Sequence, residues 1–262
     1  MAIPTLMERC VGITIHRSDH WGFVERLPHL EYLTLGLQSA PPPGLELRPT
    51  AKLKSLKIML PEFLPSCPLK ILPHLQSELD LCFSWFTTSR PKLHRIASAA
   101  TQLPRLLLNI IASPHSSVGL LENSLFHEEC IFEQVTHLVL QYADNSLEHV
   151  LRHPLPVIKI PRLVRLEIWL HHLRTIEGLA QEDYLTVTQL IVVMLPTQND
   201  PSDGSGLECE AVLELMQSLP NLELLELTVP LEVMTKVQAG LRERNLCPHL
   251  SVIRRRTCIP SR

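Results

Sequence analysis

The chain has 262 residues, of which 45% are hydrophobic, so it can bury a sizeable core and fits one large globular domain or one repeat array. Its formal net charge of -3 excludes a global field of the kind that draws proteins to nucleic acid or to anionic lipid. The seven cysteines are scattered and include no C-x-x-C pair, which favours reduced thiols in a cytoplasmic or nuclear protein.

One spacing of apolar residues, L-x-x-L-x-L, recurs along the chain at intervals of roughly 20 to 35 residues, the range in which repeats indicate a solenoid. Three stretches match it imperfectly: residues 75–81 carry one extra residue, residues 103–112 fit in two registers, and beyond residues 250–253 Arg255 replaces an apolar residue. Clean matches are found at residues 10–15, 30–35, 53–58, 135–140, 163–168, 187–192 and 222–227.

Each match predicts a short strand, because alternate residues of a strand point to the same side. A strand of this length cannot bury its apolar side alone, but stacked parallel neighbours bury it together. We therefore predict about ten strands in one parallel sheet, in chain order. Prolines precede several strands, where a missing backbone N–H is tolerated. They are Pro28, Pro104, Pro161, Pro220 and Pro248.

Helical spacing occurs between the strands. Ser205 fits a helix N-cap, and the apolar residues that follow it recur every four positions up to Leu219. Residues 90–103 and 231–246 show a similar spacing, and Pro230 suits the start of the second of these helices. The repeating strand and helix predict an α/β solenoid with a parallel concave sheet and convex helices.

We expect residues 1–262 to form a single domain. Two stretches interrupt the pattern, the turn at residues 41–44 and the polar loop at residues 196–206, but the repeat continues after each. The longest apolar run, residues 185–195, contains polar residues and is too short to span a bilayer, and no leader is apparent at the N-terminus. We therefore expect no membrane partner.

The spacing resembles that of leucine-rich repeats, L-x-x-L-x-L-x-x-(N/C)-x-L, and the irregular lengths and prolines are similar to the ribonuclease-inhibitor-like arrays of fungal F-box proteins. The Asn/Cys position is matched only by Cys258, so we expect an uneven horseshoe whose turns are satisfied by other groups. The non-matching residues at this position are Gln38, Pro61, Ala143, His171, Leu195 and Pro230.

The resemblance implies substrate recognition for a ubiquitin ligase. The F-box that docks the ligase core is not apparent, since residues 1–20 already follow the repeat pattern, so binding of the ligase core is expected only if an F-box lies upstream. A fragment, a truncated gene model and a paralogue that has lost this role all remain open.

The sequence predicts no catalytic site, cofactor or metal. His149 and His153 have a metal-binding spacing but no third ligand, and the end of a solvated helix explains them equally. His127 with Glu128 and Glu129 is the best alternative, an enzyme site on the ridge of the repeats, but it needs further partners. Glycine-rich phosphate loops and nucleophile elbows do not occur in the sequence.

The only basic run is residues 254–256, with Arg262 beyond it. Such a run can contact phosphate, which would make the chain a nucleic-acid binder, although the balanced overall charge argues against this. The alternative is a polar cap that closes the end of the solenoid.

A protein partner is expected on the concave face, which is formed by the strand residues that alternate with the core positions. Trp and Arg dominate the energetics of many interfaces, and apolar neighbours would extend such a patch. The alternative is that the apolar residues are covered or only contact each other across strands. The predicted partner-binding residues are Lys57, His137, Gln141, Arg165, Glu167, Trp169, Ile191, Val193 and Glu226.

Overall fold

The computed structural model describes residues 9–17, 24, 26–38, 53–59, 75–84, 96–111, 130–142, 158–170, 184–194 and 205–256. The chain divides into two units, residues 1–135 with 158–160 and residues 136–157 with 161–262. We describe each unit by itself, and the single domain expected for residues 1–262 stays a prediction.

Unit 1 contains a parallel sheet whose strands follow one another in chain order. They are β1 (Gly12–Arg17), β2 (Tyr32–Gln38), β3 (Ser55–Met59), β4 (Glu78–Ser84) and β5 (Arg105–Ile111). Residues 96–99, before β5, are helical. A separate two-stranded parallel pair joins β6 (Cys130–Ile131) to β8 (Ile158–Lys159).

Unit 2 repeats this arrangement with five parallel strands and two helices. The strands are β7 (His137–Tyr142), β9 (Arg165–Leu170), β10 (Gln189–Met194), β11 (Leu224–Thr228) and β12 (Val252–Arg255). Helix α1 (Ser205–Gln217) precedes β11 and helix α2 (Leu231–Glu243) follows it. No helix in the described ranges has the length and apolar character needed to cross a bilayer.

The prediction of parallel strands in chain order is confirmed within each unit. Strand register also decides between the two readings of residues 103–112, since Leu106 and Leu108 align with Leu79 and Leu81. The extra residue in the imperfect match at residues 75–81 lies before β4, where Gln76 and Ser77 are exposed. Residues 90–95 of the predicted helix 90–103 lie outside the described residues, and the described helical turn ends at residue 99.

Rows of leucine form the core of each sheet. Leu33, Leu56, Leu79 and Leu106 align across unit 1, and Leu138, Leu166, Leu190 and Leu225 align across unit 2. None of the eight is more than 1% exposed. Burying one leucine side chain contributes about 1.5–3 kcal/mol, so these rows carry much of the driving force for stacking.

Backbone hydrogen bonds also join the entrances of successive strands. The last residue before a strand and the first residue within it both donate their N–H to one carbonyl, that of the residue before the previous strand, at 2.7–3.2 Å. We call this the entrance ladder. Pro104 precedes β5 and has no N–H, so the double donation cannot form there. The acceptor carbonyls belong to Val11, Glu31, Lys54, Thr136, Val164, Thr188 and Glu223.

Helices α1 and α2 pack against each other in unit 2. Arg244, just after α2, forms a two-pronged ion pair with Glu210 of α1, with both N···O distances 2.7 Å. A Cβ atom at Gly240 would lie 2.5 Å from one terminal methyl of Leu213 and 3.2 Å from the other. The two helices therefore approach closely at Gly240.

Replacing Gly240 by valine should lower the free energy of unfolding by about 2 kcal/mol, because the new side chain must push Leu213 out of a packed position. The measurement is urea unfolding followed by circular dichroism. Ala239→Val places the same side chain at an exposed position of α2 and should cost less than about 1 kcal/mol. Equal losses in the two variants would contradict the close approach.

Candidate functional site

Four strands of unit 2 place the predicted binding residues other than Lys57 on one side of its sheet. The residues that alternate with the buried leucines of β7, β9, β10 and β11 are aligned by the parallel register into three rows, which we call together the site face. The entrance row is His137, Arg165, Gln189 and Leu224; the middle row is Val139, Glu167, Ile191 and Glu226; the exit row is Gln141, Trp169, Val193 and Thr228.

Glu167 lies at the centre of a polar cluster. One oxygen of its carboxylate accepts a hydrogen bond from Nε1 of Trp169 at 2.7 Å. The other oxygen contacts Nη2 of Arg165 at 3.2 Å and Nε2 of His137 at 3.3 Å. Since a carboxylate only accepts hydrogen bonds, Nε2 of His137 carries the proton in this contact. One carboxylate therefore holds side chains from two strands, β7 and β9.

These contacts keep Glu167 ionised. They lower the pKa of Glu167 from 4.5 to about 2, and the hydrogen bond with His137 makes the largest contribution. Burial acts in the opposite direction, but the further hydrogen bonds from Trp169 and Arg165 and the charge of Arg165 outweigh it. With this pKa, Glu167 is ionised near neutral pH and acts as a hydrogen-bond acceptor.

The middle row is buried although it faces away from the leucine core. Ile191 is 2% exposed, Glu167 is 5% exposed and Glu226 is 6% exposed. For Ile191, burial favours the second of the two interpretations of the apolar residues, in which they are covered or contact each other across strands. The indole of Trp169, in the exit row, and the guanidinium of Arg165, in the entrance row, both donate hydrogen bonds to Glu167. These two side chains therefore help to cover the carboxylate in the middle row.

The flanking rows provide the accessible surface. Trp169 and Val193 are partly exposed and are register partners, so their side chains lie next to each other on β9 and β10. Gln141 aligns with Trp169 on the other side and is also partly exposed. The side chain of Arg165 is 37% exposed, and that of His137 is 20% exposed. An aromatic ring, a cation and an aliphatic side chain are thus brought together.

Glu226, at the β11 end of the middle row, has a similar arrangement. Its buried carboxylate forms an ion pair with Arg256, whose side chain is exposed. Arg254 of β12 aligns with Glu226 in the register and extends the row. Both glutamates of the site face are therefore held below the surface by cations, and the groups presented to solvent are the cations.

Lys57 belongs to unit 1, where a similar pattern occurs. Its Nζ lies 2.9 Å from Oδ2 of Asp80, and Nδ2 of Asn109 donates to Oδ1 of Asp80 at 2.6 Å. Asp80 and Asn109 are buried. Arg105 pairs in the same way with Glu78 on the neighbouring strand. These partners are not evident from the repeat pattern, because they lie in the two copies that match it imperfectly.

Two features of the described residues concern metal binding and thiol chemistry. These residues contain no group of three or more His, Cys, Asp or Glu side chains that could hold a metal ion. Burial raises the pKa of the Cys247 thiol to about 11 and also raises that of Cys209, so neither is a ready nucleophile. The alternative sites predicted at residues 127–129 and at His149 and His153 lie outside the described residues.

No family model matches the chain, and a search of curated proteins finds no match either. The resemblance to leucine-rich repeats and to F-box proteins therefore rests on the residue pattern alone and stays a proposal. The functional argument has to come from the geometry of the strands and of their alternate side chains.

Proposed function

We propose that this chain is a non-catalytic protein-binding scaffold of the leucine-rich-repeat type, a horseshoe that binds its partner on the site face of unit 2. The observation that carries the proposal is the fixed position of Trp169 and Arg165, which share the buried carboxylate of Glu167 as their acceptor. Tryptophan and arginine are the side chains that most often dominate the free energy of protein association.

Fixed side chains favour binding for an entropic reason. A rotamer-rich side chain that is immobilised on binding costs about 0.5–1.5 kcal/mol, and a side chain already held in the free protein avoids much of that cost. Trp169 is held by a 2.7 Å hydrogen bond and Arg165 by an ion pair, both within β9. Val193, next to Trp169, adds aliphatic surface on the neighbouring strand.

Both carboxylates of the site face, those of Glu167 and Glu226, are buried. This favours a partner surface that carries acidic and apolar groups. The exposed cations Arg165 and Arg256 would meet acidic or carbonyl groups, and the indole of Trp169 would meet an apolar or aromatic side chain. Complementary charge of this kind sets orientation and association rate more than affinity.

A narrower version of the proposal makes the partner a substrate of a ubiquitin ligase, with the chain acting as the recognition part of an adaptor. It is supported only by the similarity of the repeat pattern to F-box proteins. Co-purification of the ligase core with the full-length gene product tests it. Absence of the ligase core from such a preparation would leave the general scaffold and remove the adaptor role.

Substituting Trp169 by alanine should weaken partner binding at least about tenfold, equivalent to ~1.4 kcal/mol, while leaving the fold intact. The measurement is quantitative affinity capture and mass spectrometry with the full chain, followed by titration of the captured partner. Circular dichroism of the variant should match that of the native chain.

Two variants serve as controls for this experiment. Tyr32→Ala removes an exposed aromatic side chain from a strand of unit 1 and should leave binding unchanged. Trp169→Phe keeps an aromatic ring but removes the Nε1 donor to Glu167, so it should cost less than alanine and more than Tyr32→Ala. Unchanged binding by Trp169→Ala would remove the site face as the partner site.

A further inference from the structure

Strand β12 is an edge of the unit 2 sheet. In the described part of the chain it pairs with β11 on one side and with no strand on the other. The backbone groups on the unpaired side are donors and acceptors ready for another strand. Their identity follows from the hydrogen bonds that β12 makes to β11.

Backbone groups alternate in direction along a strand. The N–H groups of Val252 and Arg256 are donated to the carbonyls of Glu223 and Leu227 on the β11 side. In a parallel pair, residues two apart direct their backbone groups to the same neighbour and the residues between them direct theirs to the opposite side. The N–H and C=O groups of Ile253 and Arg255 therefore face the unpaired edge.

The side chain of Ile253 is only partly covered at this edge. It aligns with Leu225 and continues the leucine row, in which Leu138, Leu166, Leu190 and Leu225 are at most 1% exposed. Ile253 itself is 38% exposed. An added strand with an apolar residue in the same row would bury it.

The charges of β12 specify the rest of the added strand. Arg254 and Arg255 follow Ile253 and are exposed on the two sides of the sheet. Nε of Arg255 donates to the carbonyl of Val229 at 3.0 Å, which fixes the guanidinium beside the end of β11. Acidic residues aligned with these two arginines would pair with them, whereas basic residues would be repelled.

We propose that the free edge of β12 binds an extended acidic segment of another protein by parallel strand addition, with an apolar residue beside Ile253 and acidic residues beside Arg254 and Arg255. In the proposed complex the added segment runs parallel to β12, as the described strands of unit 2 run to one another. The recognised pattern is one apolar residue followed by two acidic residues.

A second copy of the chain fits this edge less well. In a second copy, the strand that would pair with β12 is β1. Its Ile13, Thr14 and Ile15 would align with Ile253, Arg254 and Arg255. That pairing would leave both arginines without a carboxylate and set an isoleucine beside Arg255. Nucleic acid would satisfy the arginines but would use neither Ile253 nor the backbone groups of the edge.

The test uses the full chain and a fluorescent, acetylated and amidated peptide, Ser-Thr-Val-Glu-Glu-Thr-Ser, in a polarisation titration. We expect saturable binding below about 1 mM, and its absence would overturn the proposal. Arg254→Glu should weaken binding at least about tenfold, whereas Arg242→Glu, at an exposed position of α2, should not. Equal effects of the two variants would mean that the acidic peptide is attracted by the overall charge of the protein, and would contradict binding at β12.

Peptides methylated at one backbone nitrogen separate strand addition from simple charge attraction. In the proposed register the N–H of the first glutamate is donated to the carbonyl of Ile253, and the N–H of the second points away. Methylation of the first should weaken binding about tenfold or more and methylation of the second much less. Equal binding of the two peptides, or displacement of the peptide by a single-stranded oligonucleotide at lower concentration, would overturn the proposal.

Arg254 extends the middle row of the site face, but β12 lies three strands away from β9, which carries Trp169. Trp169→Ala should therefore leave binding of the peptide unchanged. Loss of peptide binding in Trp169→Ala, with normal circular dichroism, would contradict a separate site on β12.

Discussion

Replacing Leu166 by alanine should lower the free energy of unfolding by about 3 kcal/mol. Leu166 is fully buried between Leu138 and Leu190 in the leucine row of unit 2, and both neighbours are held in place by strand pairing. The row cannot collapse onto the space that the missing methyl groups leave, so a cavity cost adds to the lost burial. Urea unfolding monitored by circular dichroism measures the effect.

The matched control is Ile253→Ala, which shortens an aliphatic side chain in the same row at its exposed end. It should cost less than about 1 kcal/mol, because the side chain is already partly in water. A cost as large as that of Leu166→Ala would mean that Ile253 is buried in solution, and it would also remove the basis for an added strand at β12.

The stability of the native chain should depend on Glu167 in acid. Its folded-state pKa is lowered from 4.5 to about 2, so its ionised form stabilises the fold above about pH 4.5 and this contribution is lost as the pH falls toward 2. A full conversion of the shift overstates the effect, because the partner Arg165 is partly exposed and screened by solvent. We expect a contribution of about 2 kcal/mol at neutral pH.

A comparison with Glu167→Gln isolates this contribution. The native chain should be more stable than the variant at pH 7, and the difference should shrink between pH 4.5 and pH 2, when Glu167 itself loses its charge. Glu223→Gln removes an exposed carboxylate from the same sheet and should change stability little over this range. A constant difference between the native chain and Glu167→Gln would contradict the role of the ionised carboxylate.

The strands could be predicted from sequence because their apolar side is set by a local period of two residues. The same spacing could not show how the extra residue of residues 75–81 is absorbed or which of two registers residues 103–112 adopt. The alignment of Leu79 with Leu56 and of Leu106 with Leu79 answers both questions. Arg255 occupies a position that is apolar in the other copies, and it is tolerated because β12 lies at an edge.

The site could be predicted only in part. The alternation of residues along each strand identified which residues share a face of the sheet. It cannot show how far neighbouring side chains cover one another, so it did not predict the burial of Glu167 or decide that of Ile191. Asp80 and Asn109 were missed for another reason. A signal was available for Asp80, which aligns with Lys57, but reading it requires the register of a copy whose spacing is irregular. Asn109 aligns with Cys82, so its position gave no such signal.

The entrance ladder places little restriction on the side chains of the residues that form it. Its hydrogen bonds join backbone atoms only, and the acceptor positions hold residues as different as Val11, Glu31, Lys54 and Thr188. Any residue supplies the carbonyl, and any residue except proline supplies the N–H. Successive repeats can therefore differ in their side chains at these positions and still stack in register through the same backbone hydrogen bonds.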